Sequence, residues 1–146
     1  KEQYGDDLMR LAPSQLTYAQ SLRLAGRVDE AVRIVQPMLA NNQLANDAGV
    51  IHNAAENYFA SGNQDTRVNQ AAPLYDRIIR NLGQQNGVYP PIWWNAWMRR
   101  LQINDQAGIE TAKIPLNVRQ IARIDPNLGG EPYKTNLQRL QIKHNR

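Results

Sequence analysis

The chain has 146 residues, which suits a single domain, and 42% of them are apolar, which excludes a largely disordered chain. It contains no Cys, so disulfides, thiol catalysis and cysteine metal sites are excluded, and no apolar run approaches the roughly 18 residues that span a bilayer. The net charge of +4 comes from basic residues spread over most of the predicted helices. A nucleic-acid partner is therefore not expected, because such proteins concentrate their basic residues in one stripe.

The first third of the chain predicts a short helix followed by a helical hairpin. Apolar periodicity indicates a leading helix over 2–11, which Pro13 is expected to end because it lacks an amide donor. The hairpin follows over 14–41, with its two helices joined by a turn at Gly26. A hairpin of this size buries its apolar face only against neighbours, so stacked copies are expected.

The rest of the chain repeats this pattern twice more. A second pair of helices is predicted over 46–82, with a loop-like insertion after Gly62, and a third pair over 90–125, ending before Pro126. A closing helix is predicted over 131–144. The sequence thus predicts an all-α fold in one domain, 1–146, with an additional helix at each end.

These hairpins resemble the tetratricopeptide-repeat family, and the segment GRVDEA at 26–31 is the most typical piece. The matching positions are Tyr18, Ala19, Leu22, Gly26, Ala31, Val35 and Met38 in the first hairpin; Ala54, Ala55, Tyr58, Gly62, Ala71, Tyr75 and Ile78 in the second; and Trp94, Trp97, Met98, Leu101, Ile114, Val118, Ile121 and Pro126 in the third. The resemblance implies an α-solenoid of about three hairpins that binds other proteins and is not an enzyme.

The resemblance also implies a concave groove lined by the first helix of each hairpin. The residues expected to line it are Gln20, Arg23, His52, Asn53, Glu56, Phe59, Asn95, Arg99 and Gln102. Such polar and aromatic groups suit an extended peptide, although an ordinary polar groove without a specific ligand is equally compatible. The Lys and Asn residues with which some family members clamp a carboxylate are absent, since Leu16, Gln20, His52 and Glu56 stand at those positions.

The segment YPPIWWNAW at 89–97 offers two interpretations, a sugar-stacking platform or core packing. Trp94 and Trp97 match core positions of the repeat, so burial is favoured for them. Trp93 is offset by one residue and is the best candidate for an exposed contact.

Catalysis has little support in the sequence. The two histidines, His52 and His144, lie far apart, and no metalloprotease, nucleophile-elbow or phosphate-binding motif is present. We therefore expect no catalytic residue, no cofactor and no metal site.

The two ends of the chain share the pattern Y-x-x-x-L-x-R-L. Two capping helices can share this pattern by coincidence. The alternative is that both terminal helices pack in similar hydrophobic surroundings at the ends of a solenoid. Terminal elements of a soluble repeat protein should be polar outside, whereas Met9 and Ile142 are expected to be exposed there. The predicted assembly residues are Tyr4, Leu8, Met9, Leu11, Tyr133, Leu137, Leu140 and Ile142.

The function favoured by these ends is self-association into a homopolymer or filament, with copies of the chain as the partner. The alternative is a monomeric adaptor that binds a peptide or protein in the groove, and an accessory subunit of an enzyme is a weaker third. The start at Lys1 rather than Met favours a mature extracellular or cell-surface product and leaves a cytoplasmic location open.

Overall fold

The fold, seen in a computed structural model, is all-α, as the sequence predicted; the model describes the backbone of residues 2–145 and the side chains of residues 8–145. No strand occurs in this range, and no helix within it is long and apolar enough to cross a membrane. The helices are α1 (Glu2–Leu24), α2 (Val28–Leu39), α3 (Ala48–Ala60), α4 (Gln64–Thr66), α5 (Ala72–Asn81), α6 (Pro91–Ala107), α7 (Ile114–Ile124) and α8 (Tyr133–His144).

The sequence predicted one domain, and the structure divides into two compact units, Lys1–Leu74 and Tyr75–Arg146. In the first unit, α1, α2 and α3 pack against one another. In the second unit, α8 packs against both α6 and α7. Each unit has its own hydrophobic core.

Helix α1 corrects the predicted break at Pro13, because it runs without interruption from Glu2 to Leu24. Leu8 and Ala12 pack on the core of the first unit before the proline, and Ala19 packs on it afterwards. A proline inside a helix costs about 3 kcal/mol. Core contacts on both sides of Pro13 offset this cost, so the predicted leading helix and the first helix of the hairpin are one element.

Close packing in the first unit depends on small side chains where helices meet. Ala31 of α2 is completely buried, as the repeat resemblance implied, and lies in the same core as Ala19 of α1. At the start of α3, the Asp47 carboxylate accepts a hydrogen bond from the amide of Val50 at 3.0 Å. This capping bond satisfies one of the free donors of the first turn.

The segment after Gly62 is helical rather than the loop that the sequence predicted. The side chain of Asn63 caps α4 by accepting from the amide of Thr66 at 3.1 Å. Helix α4 continues into a π-helical segment, Arg67–Ala71, and then into α5. The extra residues after Gly62 are therefore absorbed as helical turns.

The core of the second unit is built around Trp94, Met98 and Leu101 of α6. Leu137 and Leu140 fasten α8 to this core. Helix α6 ends at Ala107 and is capped by Gly108, whose φ of 68° is the left-handed conformation that glycine adopts at little cost.

Candidate functional site

Within the first unit, the structure brings together two residues predicted to line the groove. One guanidinium nitrogen of Arg23 on α1 donates to the side-chain oxygen of Asn57 at 2.8 Å and to that of Asn53 at 3.3 Å, both on α3. Asn57 is 1% exposed, and the sequence did not single it out. The cluster links α1 to α3 and holds the Arg23 side chain in place.

The amide group of Asn53 already has internal partners. Its nitrogen donates to the carbonyl of Gly49 at 3.1 Å, while its oxygen accepts from Arg23. A groove asparagine that binds a peptide backbone needs these same atoms. The observed bonds therefore give Asn53 a structural role between α1 and α3.

The remaining predicted groove residues of the first unit lie on the same two helices. Gln20 is exposed on α1, and His52, Glu56 and Phe59 are partly buried on α3. The guanidinium of Arg67 lies over the Phe59 ring, 4.2 Å from its centre, and its Nε donates to the Phe59 carbonyl at 2.8 Å. Phe59 thus takes part in the junction between α3 and the π-helical segment.

In the second unit, the predicted groove residues lie on α6 and are partly buried. Arg99 donates to the side-chain oxygen of Gln102 at 3.1 Å, one turn away, and Asn95 lies one turn before Arg99. The neighbouring Arg100 was not predicted, although it donates to the Asp76 carboxylate at 2.9 Å. Asp76 precedes Arg100 by 24 residues, so helix periodicity gave no signal of this pair.

The burial of Trp93 corrects its interpretation as the best candidate for an exposed contact. Trp93 is only 4% exposed, and its indole nitrogen donates to the Ile79 carbonyl at 3.2 Å. Its ring is stacked on that of Tyr89, with 3.9 Å between the ring centres. Trp94 is buried as predicted, and Trp97 is partly buried against the core.

Two of the predicted assembly residues of α1, Leu8 and Leu11, line a mainly apolar cleft. The cleft has a volume of about 260 Å³, and the described residues that form it all belong to α1 and α2. Its apolar lining consists of Leu8, Leu11, Ile34, Pro37 and Met38, and its polar lining of Gln15 and Arg33. Leu11 is 42% exposed. We call this feature the α1–α2 cleft.

The outcome differs for the other two predicted assembly residues of α1. Met9 is 38% exposed but is not among the cleft residues. The side chain of Tyr4 lies outside the described residues. The cleft residues Ile34 and Pro37 belong to α2, so a comparison of the two chain ends alone missed them.

The predicted assembly residues of α8 divide into buried and exposed ones. Leu137 is completely buried and Leu140 nearly so, while Tyr133 is partly buried against the same core. These three side chains stabilise α8 on the core of its own unit. Ile142 is 76% exposed and remains accessible.

An ion-pair cluster fastens the end of α8 to α6. His144 Nε2 lies 2.7 Å from one Asp105 oxygen, and the Lys143 ammonium lies 2.9 Å from the same oxygen. Burial raises the pKa of the Asp105 carboxyl, but the hydrogen bonds and charges of Lys143 and His144 outweigh this effect and lower the pKa overall. Within the part of the chain that the structure describes, no group of three or more His, Cys, Asp or Glu side chains could hold a metal ion.

Comparison of the chain with protein-family models, curated proteins and solved structures found no match.

Proposed function

We propose that the chain is a non-enzymatic protein-interaction module of tetratricopeptide-like hairpins that associates head to tail with copies of itself. The observation that carries the proposal is the α1–α2 cleft, an apolar depression with the exposed Leu11 on its border. The proposed occupant is α8 of a second copy, whose Ile142 is 76% exposed. An apolar residue of one helix placed between two others is a common mode of helix recognition.

The amino-acid sequences of the two ends differ in charge, which favours pairing of unlike ends. The first seven residues contain three acidic residues, Glu2, Asp6 and Asp7. Helix α8 contains three basic residues, Lys134, Arg139 and Lys143, and no acidic residue. Opposite charges on two surfaces accelerate their encounter and disfavour pairing of like ends. Two α8 ends would meet with the same charge, which disfavours their pairing.

The proposed contact joins two different surfaces, so it is heterologous. Such a contact continues from copy to copy and produces a filament when the rotation between copies does not close a ring. Each buried aliphatic side chain contributes about 1.5–3 kcal/mol. Ile142 and Leu11 alone do not offset the cost of association, so the contact also requires the partly buried Leu8 and Ile34.

The test uses lysine substitutions at the two proposed surfaces. Leu11→Lys and Ile142→Lys should leave each chain folded, because both side chains are exposed, and should abolish association in multi-angle light scattering. The matched control is Leu24→Lys, because Leu24 is 78% exposed but does not line the cleft. If the unmodified chain is a monomer at high concentration, the proposal is wrong.

The groove-binding adaptor is the second candidate function. Its support is the fixed Arg23 side chain, which presents a cation beside α3. It is the weaker candidate because the Asn53 amide group has partners within its own unit. A monomeric chain whose peptide binding is lost on Arg23→Ala would favour this candidate.

A further inference from the structure

A pocket in the second unit lies outside both proposed interaction surfaces. Its volume is about 420 Å³, within the range of roughly 300–1,000 Å³ that is typical of small-molecule sites. It is bounded by the loop between α5 and α6, by the start of α6, and by the corner between α7 and α8. We call it the Tyr89 pocket, and its described lining residues are Gln84, Gly87, Val88, Tyr89, Pro91, Trp94, Ile124, Asp125, Asn127 and Gly129.

Both edges of the Tyr89 pocket are held by backbone hydrogen bonds. On one edge, Gln85 and Val88 exchange two bonds, at 2.7 and 3.2 Å, and so close a tight turn. On the other edge, the Asp125 carboxylate accepts from the amides of Asn127 at 2.9 Å and Gly129 at 3.1 Å. The pocket is therefore preformed, which reduces the ordering cost of binding.

Close contact between backbone and aromatic ring fixes the inner wall. A Cβ atom at Gly129 would lie 2.3 Å from Cγ of Trp94, so only glycine lets the corner lie against the indole. The Tyr89 ring is held by its stacking on the buried Trp93. Tyr89 lines the pocket, whereas Trp93, which covers one face of the Tyr89 ring, is not among the described lining residues.

The lining of the pocket combines apolar side chains with neutral polar ones. Val88 is 65% exposed and Ile124 is 49% exposed, and both line the pocket. Gln84, Asn127 and the Tyr89 hydroxyl offer both donors and acceptors. Among the described residues that line the pocket, none is Lys, Arg or His, and Asp125 is the one acidic group. The lining thus disfavours phosphate and carboxylate ligands.

We infer that the Tyr89 pocket binds a neutral carbohydrate residue. A sugar ring has a C–H face that packs on an aromatic ring and a border of hydroxyls that both donate and accept. Tyr89 supplies the ring, and the amides of Gln84 and Asn127 suit neighbouring hydroxyls. The Asp125 carboxylate, already fixed by two amides, retains lone pairs for a hydroxyl donor.

A single sugar site fits the pocket better than an extended peptide. Peptide strands are recognised through a row of backbone hydrogen bonds along a sheet edge or through a long groove. The polar groups here come from two short turns and surround one preformed cavity. A cavity lined by one accessible aromatic residue, Tyr89, and by nearby polar side chains matches the size and chemistry of one sugar residue.

The experiment is titration of the full chain, followed by amide NMR, with cellotetraose, maltotetraose and chitotetraose as probes. At least one of them should shift the signals of Gly87, Val88, Asn127 and Gly129. Gln84→Ala and Asn127→Ala should each weaken its binding about tenfold, the usual effect of one lost hydrogen bond. The matched control is Gln85→Ala, because Gln85 is an exposed neighbour whose side chain does not line the pocket.

The preference of the pocket for neutral over charged sugars provides a second test. A tri- or tetragalacturonate, which carries a carboxylate on each ring, should bind at least about tenfold more weakly than the neutral probe, because no cation among the described lining residues faces it and Asp125 repels it. The inference is wrong if none of the neutral probes shifts the pocket signals, if Gln84→Ala and Asn127→Ala bind like the unmodified chain, or if the charged sugar binds more tightly. A proline-rich peptide that shifts these signals while the sugars do not would assign the pocket to peptides instead.

Discussion

At the residue scale, Gly129 is the position where the structure leaves least room for a side chain. The backbone φ of Gly129 is 80°, and the Cβ atom that Gly129→Ala adds would lie only 2.3 Å from Cγ of Trp94. Gly87→Ala is its matched control, since its φ is 83° but no atom lies within 4 Å. We expect the control to lose about 1–2 kcal/mol, the cost of a left-handed alanine.

Gly129→Ala should lose clearly more, by a further amount of about 1–3 kcal/mol from overpacking. Chemical denaturation of the two variants measures this difference directly. Equal losses would mean that the α7–α8 corner moves away from Trp94 without cost.

Ala31 gives a second prediction at the same scale. Its side chain is completely buried where α1 and α2 pack, so Ala31→Leu should overpack the core and lower the free energy of unfolding by about 1–3 kcal/mol. Ala25→Leu is the control, because Ala25 is exposed beyond the end of α1. An Ala31→Leu variant that melts like the unmodified chain would show that α1 and α2 are not closely packed there.

The burial of single residues was predictable where the helical repeat determined it. Ala31, Leu101 and Trp94 lie in the core as their positions in the repeat implied. Trp93 does not follow this rule, since it is buried by Tyr89 from the preceding loop and bonded to the Ile79 carbonyl. A loop that folds back over a helix leaves no periodic signal in the sequence.

At the scale of elements, α1 shows how packing overrides a local breaking signal. Pro13 is exposed in the middle of a 23-residue helix. Pro13→Ala restores a backbone donor without removing a core contact, so we expect stabilisation of up to about 3 kcal/mol. A higher melting temperature with increased helical circular dichroism would confirm it, whereas a lower one would show that the helix needs the proline's geometry.

The attachment of α8 to α6 depends on pH through Asp105. The pKa of this carboxyl is lowered in the folded chain, so its contribution to stability is present above the ordinary carboxyl pKa of about 3.9 and is lost as the pH falls through the folded value. Asp105→Asn should therefore lose about 1–2 kcal/mol at neutral pH and show a weaker acid dependence of stability.

Asp29→Asn serves as the control for Asp105→Asn. Asp29 is exposed in the first turn of α2, so its loss should cost under about 1 kcal/mol. If Asp105→Asn and the parent chain respond identically to acid, the ion-pair cluster does not hold α8.

The sequence located most helices, because apolar periodicity and capping residues determine them locally. The predicted closing helix over 131–144 agrees with α8 to within two residues at its start. Contacts such as Asp105 with His144, or Arg100 with Asp76, join residues 39 and 24 positions apart. Local patterns carry no information about such pairs.

At the scale of the whole molecule, the proposed association of copies depends on the α1–α2 cleft and on Ile142. The apolar part of the contact should resist salt, whereas the attraction between the acidic start of α1 and the basic α8 is screened by it. Raising the salt concentration should therefore slow association more than it weakens the final affinity. A stopped-flow light-scattering series checks this expectation, and an affinity that falls as steeply as the rate would indicate a mainly ionic contact.

The sequence pattern shared by the two ends indicated association, but it did not locate the surfaces. Leu137 and Leu140 belong to the pattern and are buried within their own unit. The α1–α2 cleft needs Ile34 and Pro37, which lie outside the pattern. Only the packed structure separates the side chains that stabilise each unit from those that remain accessible.

The most direct measurement of head-to-tail association is sedimentation velocity of Leu11→Lys, of Ile142→Lys and of their equimolar mixture. Each variant retains one intact surface, so each alone should be a monomer of 16.6 kDa. In the mixture, α8 of the Leu11→Lys chain meets the intact cleft of the Ile142→Lys chain, so association should stop at a heterodimer of twice that mass. A mixture that stays monomeric, or a single variant that dimerises alone, would contradict head-to-tail association.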